Sequence, residues 1–248
     1  MPLEKYTKIP LPNRFIVIAG SFNPTIIQPS FLRRYKILPE QEIAASEIED
    51  DKNQDSKAQM GVVVPRLLIS GAQTILVFQN LVFEVTRDRF QVTLKIGSDP
   101  IIATDSIKKL FTVLVHTPVT AIGFNFIAHW RTSGGKDRLN KLFTGDPSKF
   151  SKVFGSKVSA GGRVRFEYLN SKVLLETEPS AQMEDGVFLN FNFHFDLSPP
   201  SADMLVKQLV NFEKTMAHAE SVATQLYGPP SHILAPAGAF ELLGEHQK

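Results

Sequence analysis

The chain contains no cysteine, which excludes disulfide frameworks, thiolate zinc sites, iron–sulfur clusters and cysteine nucleophiles. No apolar run approaches the roughly 18 to 20 residues of a membrane span. The opening MPLEKYTKIPLPNR also lacks the apolar core of a signal peptide. The sequence therefore reads as cytoplasmic, with secretion the lesser alternative and no membrane partner. Catalytic signatures are missing as well: neither HExxH nor GxSxG occurs. Ser133-Gly134-Gly135-Lys136 echoes a phosphate loop, but Trp130 stands where a glycine is required and Asp137 where a Ser or Thr must hold magnesium. Gly161-Gly162 precedes a strand rather than opening a helix, so it is no dinucleotide fingerprint. No metal site and no cofactor are expected.

There is no large excess of charge of either sign, since 27 basic and 25 acidic residues leave a formal +2. The balance is uneven along the chain. Residues 40 to 60 hold seven acids against Lys52 and Lys57, and their few apolar side chains and absent periodicity predict a mobile loop or frayed helix. Residues 131 to 172 hold ten bases against three acids, and residues 173 to 248 hold ten acids against three bases. The basic block, with Lys149, Lys152, Lys157, Arg163 and Arg165, could bind nucleic-acid phosphates by counterion release. It could equally face acidic protein.

With 248 residues, 43% of them hydrophobic, the chain can bury about 70 to 75% of its unfolded surface and needs no covalent staple to fold. Arg14 to Phe22 reads as a strand between Pro12 and Asn23-Pro24. From Val62 four closely spaced β-prone runs follow, VVVPRLLIS, TILVFQN, LVFEVTRD and RFQVTLKI, whose short connections require antiparallel pairing. Asp99-Pro100 then supplies an N-cap and first-turn proline for a helix with the apolar stripe Ile107, Leu110, Phe111, Leu114 and Val115, ended by Pro118. Val119 to Arg131 is a long strand. Short helical pieces are expected around Leu139 to Phe143 and Pro147 to Phe154. A hairpin of Ser159 to Tyr168 and Lys172 to Glu178 turns at Asn170-Ser171, and Gly186 to Leu197 is another long strand.

After Pro199-Pro200-Ser201, Leu205, Leu209, Phe212, Met216, Ala219, Ala223 and Leu226 recur at alternating steps of four and three. This heptad spacing predicts one long helix whose narrow seam lies on its own sheet or is shared with another copy, Leu205, Leu209, Phe212, Met216 and Leu226 being the interface residues in the second case. Gly228-Pro229-Pro230 stops it, and residues 229–248 read as a strap over a surface. The whole is expected to be a single α+β domain, an antiparallel sheet of several long strands with two main helices packed mostly on one face.

Period-two alternation places Asn190, Asn192, His194 and Asp196 on one face of their strand and Phe191, Phe193 and Phe195 on the other. Likewise Asn125, His129 and Arg131 oppose Phe124, Phe126 and Trp130. If the two strands are neighbours, these polar groups share one surface. His194 with Asp196 then offers a base and an orienting carboxylate, with His129 a further candidate, although the sequence supplies no nucleophile or metal to complete a hydrolytic site. Phe166 and Tyr168 could stack bases, but alternation puts them on the face opposite Arg163 and Arg165.

The strand pair with Asn80, Phe83, Val85 and Asp88-Arg89-Phe90, the amphipathic helix after it, and the run from His116-Thr117-Pro118 to Phe124-Asn125-Phe126 resemble a sporadically distributed group of uncharacterised bacterial proteins. Phe191-Asn192-Phe193-His194 and the C-terminal helix are similar to that group too, so the resemblance covers residues 14 to 226 in outline. It implies an accessory or mobile-element role, including defence against phage, and no particular activity, cofactor or catalytic residue. The function expected is therefore a non-enzymatic interaction or assembly component, as a homo-oligomer or a subunit of a hetero-complex. Nucleic-acid binding through 131–172 is the first alternative, and hydrolysis on the Asn192/His194/Asp196 face the second.

Overall fold

The computed structural model describes residues 11–47, 67–144, 152–153 and 160–236. Among these residues ten strands form one antiparallel sheet in an α+β fold, as expected. They are β1 (Asn13–Gly20), β2 (Leu67–Ile69), β3 (Gln73–Val77), β4 (Leu81–Thr86), β5 (Arg89–Leu94), β6 (Val119–Arg131), β7 (Gly162–Tyr168), β8 (Ser171–Pro179), β9 (Gly186–Asp196) and β10 (His232–Leu234). Their order is β2-β3-β4-β5-β1-β6-β9-β8-β7, with β10 paired to β6 beside that path. The described residues gather into two compact units.

The first unit, 16–47, 67–122 and 197–209, holds the β2–β5 meander, with Phe83 opposite Val92 and Thr74 opposite Val85. Helix α1 (Pro29–Arg34) follows a 3-10 turn at Pro24–Ile26. Helix α3 (Pro100–Val113) begins as the sequence predicts, with Asp99 accepting from the Ile101 N–H at 2.9 Å. Its buried face is Ala103, Ser106, Ile107, Leu110 and Phe111, and Phe111 closes a ring cluster with Phe22, Phe83 and Phe90. The stripe ends sooner than expected. Val115 is exposed, because the chain leaves the helix after Val113 and turns through Leu114 to Thr117 ahead of Pro118. Helix α2 (Glu40–Glu47) occupies the start of the acidic stretch, whose remainder, 48–60, lies outside the described residues. Glu42 is buried, and its carboxylate accepts from both the backbone and side-chain N–H groups of Asn80.

The second unit, 11–15, 123–144, 160–196 and 210–236, contains β7–β9, β10, helix α4 (Gly135–Thr144) and the C-terminal helix. The helical piece expected at Pro147 to Phe154 falls almost wholly outside the described residues, as does the end of the strap after residue 236. The strap's described part forms β10, with Ile233 opposite Trp130. The β7–β8 hairpin turns one residue earlier than predicted. Leu169 (φ 49°) and Asn170 (φ 62°) both take positive φ, as the two central residues of a type I′ turn must, and Tyr168 and Ser171 flank them as a pair.

The heptad seam needs correction. In place of one helix there are two, α5 (Ala202–Gln208) in the first unit and α6 (Phe212–Tyr227) in the second, joined by a 3-10 turn at Leu209–Asn211. Leu205, Leu209 and Phe212 are buried within the chain, α5 lying against α3, so these residues are core and not an open interface. Within α6 the buried line is Phe212, Thr215, Ala219, Ala223 and Tyr227, while Met216 and Leu226 are half-buried at its flank. A helix lying on a sheet is not held to the 3.5-residue repeat of a coiled-coil seam, and here the buried steps of three and four fall on small residues that allow close approach. The Phe212 ring sits 5.3 Å from Phe124 and 5.5 Å from Phe126, and the Tyr227 hydroxyl meets Thr177 at 2.9 Å. Replacing Phe212→Ala should therefore lower unfolding free energy by about 3 to 5 kcal/mol, measured by urea titration. The loss should far exceed that of Met216→Ala.

Candidate functional site

The face of β7, β8 and β9 turned away from α6 is built by alternation. Lys172 stands opposite His194, Leu174 opposite Asn192 and Glu176 opposite Asn190. On the other side of β8, Glu167 faces Lys172, Arg165 faces Leu174 and Arg163 faces Glu176. Phe191, Phe193 and Phe195, one residue out of phase, are buried beneath. The polar face is held by short bonds. Arg163 Nε lies 2.6 Å from Glu176 Oε1, and Asn190 Nδ2 donates to Glu176 Oε2 at 3.0 Å. Lys172 Nζ and His194 Nε2 meet the two oxygens of Asp196 at 2.6 and 3.0 Å. The Lys172 hydrogen bond, then that from His194, holds the Asp196 carboxyl below its ordinary range, and Asp196 in turn raises the Lys172 ammonium.

The two long strands do bring their asparagines together, Asn192 Nδ2 donating to Asn125 Oδ1 at 2.6 Å. Asn125 is buried, and its own Nδ2 has no partner among the described residues. A shallow cavity of about 480 Å³ opens over this face between Arg165, Lys172, Leu174, Asn192 and His194.

The two histidines do not combine. His194 sits beside Asp196, whereas His129 packs on Phe188, six residues away along β9, or roughly 20 Å at the usual rise per residue. The serine that the sequence could not supply is at His129: Ser180 Oγ lies 2.8 Å from its Nδ1. That hydroxyl also accepts from the Gln182 and Met183 N–H groups, at 3.1 and 2.9 Å. Its lone pairs are therefore committed to the turn at 180–183, its proton points at His129, and the pair reads as a satisfied structural contact. Beside His194 no described side chain is placed as a nucleophile.

The basic candidates fare unevenly. Lys149 and Lys157 lie outside the described residues, and Lys152 is exposed. Arg163 is neutralised by Glu176, and Arg165 makes no ion pair among the described residues. Phe166 and Tyr168 do lie on the opposite face, as alternation requires. There they meet a residue the sequence reading missed: the His218 ring of α6 stacks on Tyr168 at 3.7 Å with the planes 2° apart. Only the pairing of α6 with β7 reveals it.

Among the described residues no cluster of His, Asp and Glu could hold a metal ion, and no helix is long and apolar enough to cross a membrane. No protein-family model matches the chain, and no curated protein matches it.

Burial lowers the pKa of both His129 and His218 below the ordinary 6.5. The unfolded chain therefore binds more protons than the folded one once pH drops below that value, so stability present above about pH 6.5 should fall on acidification. The urea midpoint should decline between about pH 7 and pH 5, ahead of any carboxylate titration. The variant His129→Asn with His218→Phe, which keeps an acceptor for Ser180 and a ring on Tyr168, should flatten that slope.

Proposed function

We propose that this protein is a non-enzymatic component of a bacterial accessory assembly, of the kind that acts against phage, and that it works by binding other protein chains. The observation that carries the reading is the state of the charges on the β7–β9 face. Arg163 is matched by Glu176, and Lys172 with His194 by Asp196, which leaves Arg165 as the one basic side chain of this face with no ion pair among the described residues, too little for a row that phosphates could follow. A hydrolytic base needs a proton to take. The Nε2 of His194 is engaged by Asp196, itself engaged by Lys172, which suits an ordered recognition surface better than a catalytic one. Mixed charges set around a shallow cavity that Leu174 helps to line match the mixture of polar and apolar surface in protein interfaces. The resemblance to sporadically distributed bacterial proteins supports the accessory setting.

The test is a comparison of the wild type with a face variant carrying Lys172→Glu and Asn192→Ala. Cross-linking in the native host should join the wild type to a defined protein partner, and the variant should lose that partner while keeping its circular dichroism spectrum. Bare duplex and single strands should bind no more tightly than non-specifically at physiological salt. Submicromolar binding with a log–log salt slope near −0.9 per neutralised phosphate on duplex would transfer the function to nucleic acid.

A further inference from the structure

The geometry of β7 points to a second copy of this chain as the occupant of its outer edge. Among the described residues β7 is the last strand of its end of the sheet, paired only with β8. The turn decides which backbone groups remain open. In a two-residue hairpin the flanking pair, here Tyr168 and Ser171, exchanges both hydrogen bonds, and the pattern alternates from there. Tyr168, Phe166 and Val164 therefore bond inward to β8, while the N–H and C=O groups of Arg163, Arg165 and Glu167 point outward. Arg163 and Glu176 fit this assignment: they form a non-hydrogen-bonded pair, the closer kind, and their side chains meet at 2.6 Å.

The outward residues are self-complementary in one register. Arg165 and Glu167 lie on the same face and are two residues apart, and neither forms a salt bridge among the described residues, Glu167 acting only at longer range on Lys172, which Asp196 already holds. Two β7 strands running antiparallel about a two-fold axis at Phe166 place Arg165 of each copy opposite Glu167 of the other. Both pairs use outward-facing backbone groups, so each exchanges two hydrogen bonds. On the opposite face the same axis sets Phe166 against its own counterpart and Val164, 40% exposed, against Tyr168. Neighbouring registers fail. An axis at Arg165 opposes two arginines, an axis at Glu167 opposes two glutamates, an axis at Val164 opposes Arg163 to Arg165, and an axis midway between two residues sets outward-facing groups against inward-bonded ones.

We infer that the chain forms a two-fold dimer through β7, independently of what the β7–β9 face binds. One short strand buries less than the roughly 1,000 Å² of a stable interface, so the association should depend on concentration. Sedimentation velocity of the full chain, carried into the high-micromolar range, should show mass rising from 27.6 kDa toward twice that value. Arg165→Glu and Glu167→Arg should each be monomeric and folded by circular dichroism, because each opposes like charges at both pairs. Mixing the two variants should restore the dimer, since every pair is then again of opposite sign. A wild type that stays monomeric throughout the range would overturn the inference. So would single variants that dimerise like the wild type, or a mixture that fails to associate where the wild type does.

Discussion

The burial of the β6 and β9 phenylalanines under α6 is the interaction on which the second unit depends. Phe124, Phe126, Phe193 and Phe195 form one ring-packed layer, and Phe212 enters it from the helix. Each such side chain contributes about 1.5 to 3 kcal/mol when taken out of water. Because strand side chains alternate, a slip of β9 by one residue would expose three phenylalanines and bury Asn190, Asn192, His194 and Asp196. Exposed ion pairs contribute far less than that difference. The aromatic layer therefore sets the register, and the rows of polar groups on the other face follow from it.

That ordering of effects explains why the polar face looks designed without requiring catalysis. Once β8 is in register with β9, Lys172 must lie opposite His194 and beside Asp196, and once β7 is in register with β8, Arg163 must meet Glu176. Two ion pairs, Arg163 with Glu176 and Lys172 with Asp196, thus join the basic and acidic thirds of the sequence across adjacent strands. The net charges counted along the chain describe blocks that the fold interleaves. Arg165 and Glu167 form no such salt bridge, because Arg165 faces Leu174, and Glu167 faces Lys172, which is bound to Asp196 and feels Glu167 only as a weaker, more distant charge.

Elements whose signals are local were legible in the sequence. Asp99-Pro100 marked the start of α3, and alternation in β6 and β9 divided their residues between two faces, because capping and pleating act within a few residues. The seam from Leu205 to Leu226 was misread for a physical reason. A count of apolar positions cannot tell a partner helix from a sheet, and it passed over Thr215 and Tyr227, whose hydroxyls are satisfied by Phe212 O and Thr177. Ser180 at His129 and His218 at Tyr168 join positions 51 and 50 residues apart, counting 180 less 129 and 218 less 168. No local pattern carries such contacts. Glu42 shows the same limit from the other side, since an acid that looks unburiable in sequence is buried where Asn80 presents two donors to it.

At the exposed edge one parity serves several ends. An edge strand is a template for uncontrolled pairing, and proteins restrain it with charge. On β7 the charged residues Arg163, Arg165 and Glu167 are also the residues whose backbone groups face outward, because strand geometry ties side-chain face to hydrogen-bond direction and the two-residue turn at Leu169-Asn170 sets which residues bond inward. A strand of unrelated sequence meets a row of unlike charges that it must match or leave unpaired. A turn one residue longer would slip β7 by one residue, turning the Phe166 ring out onto the polar face and the charges of Arg165 and Glu167 under α6. The strained left-handed conformation of Leu169, a residue poorly suited to it, is thus where local cost is traded for an edge that discriminates.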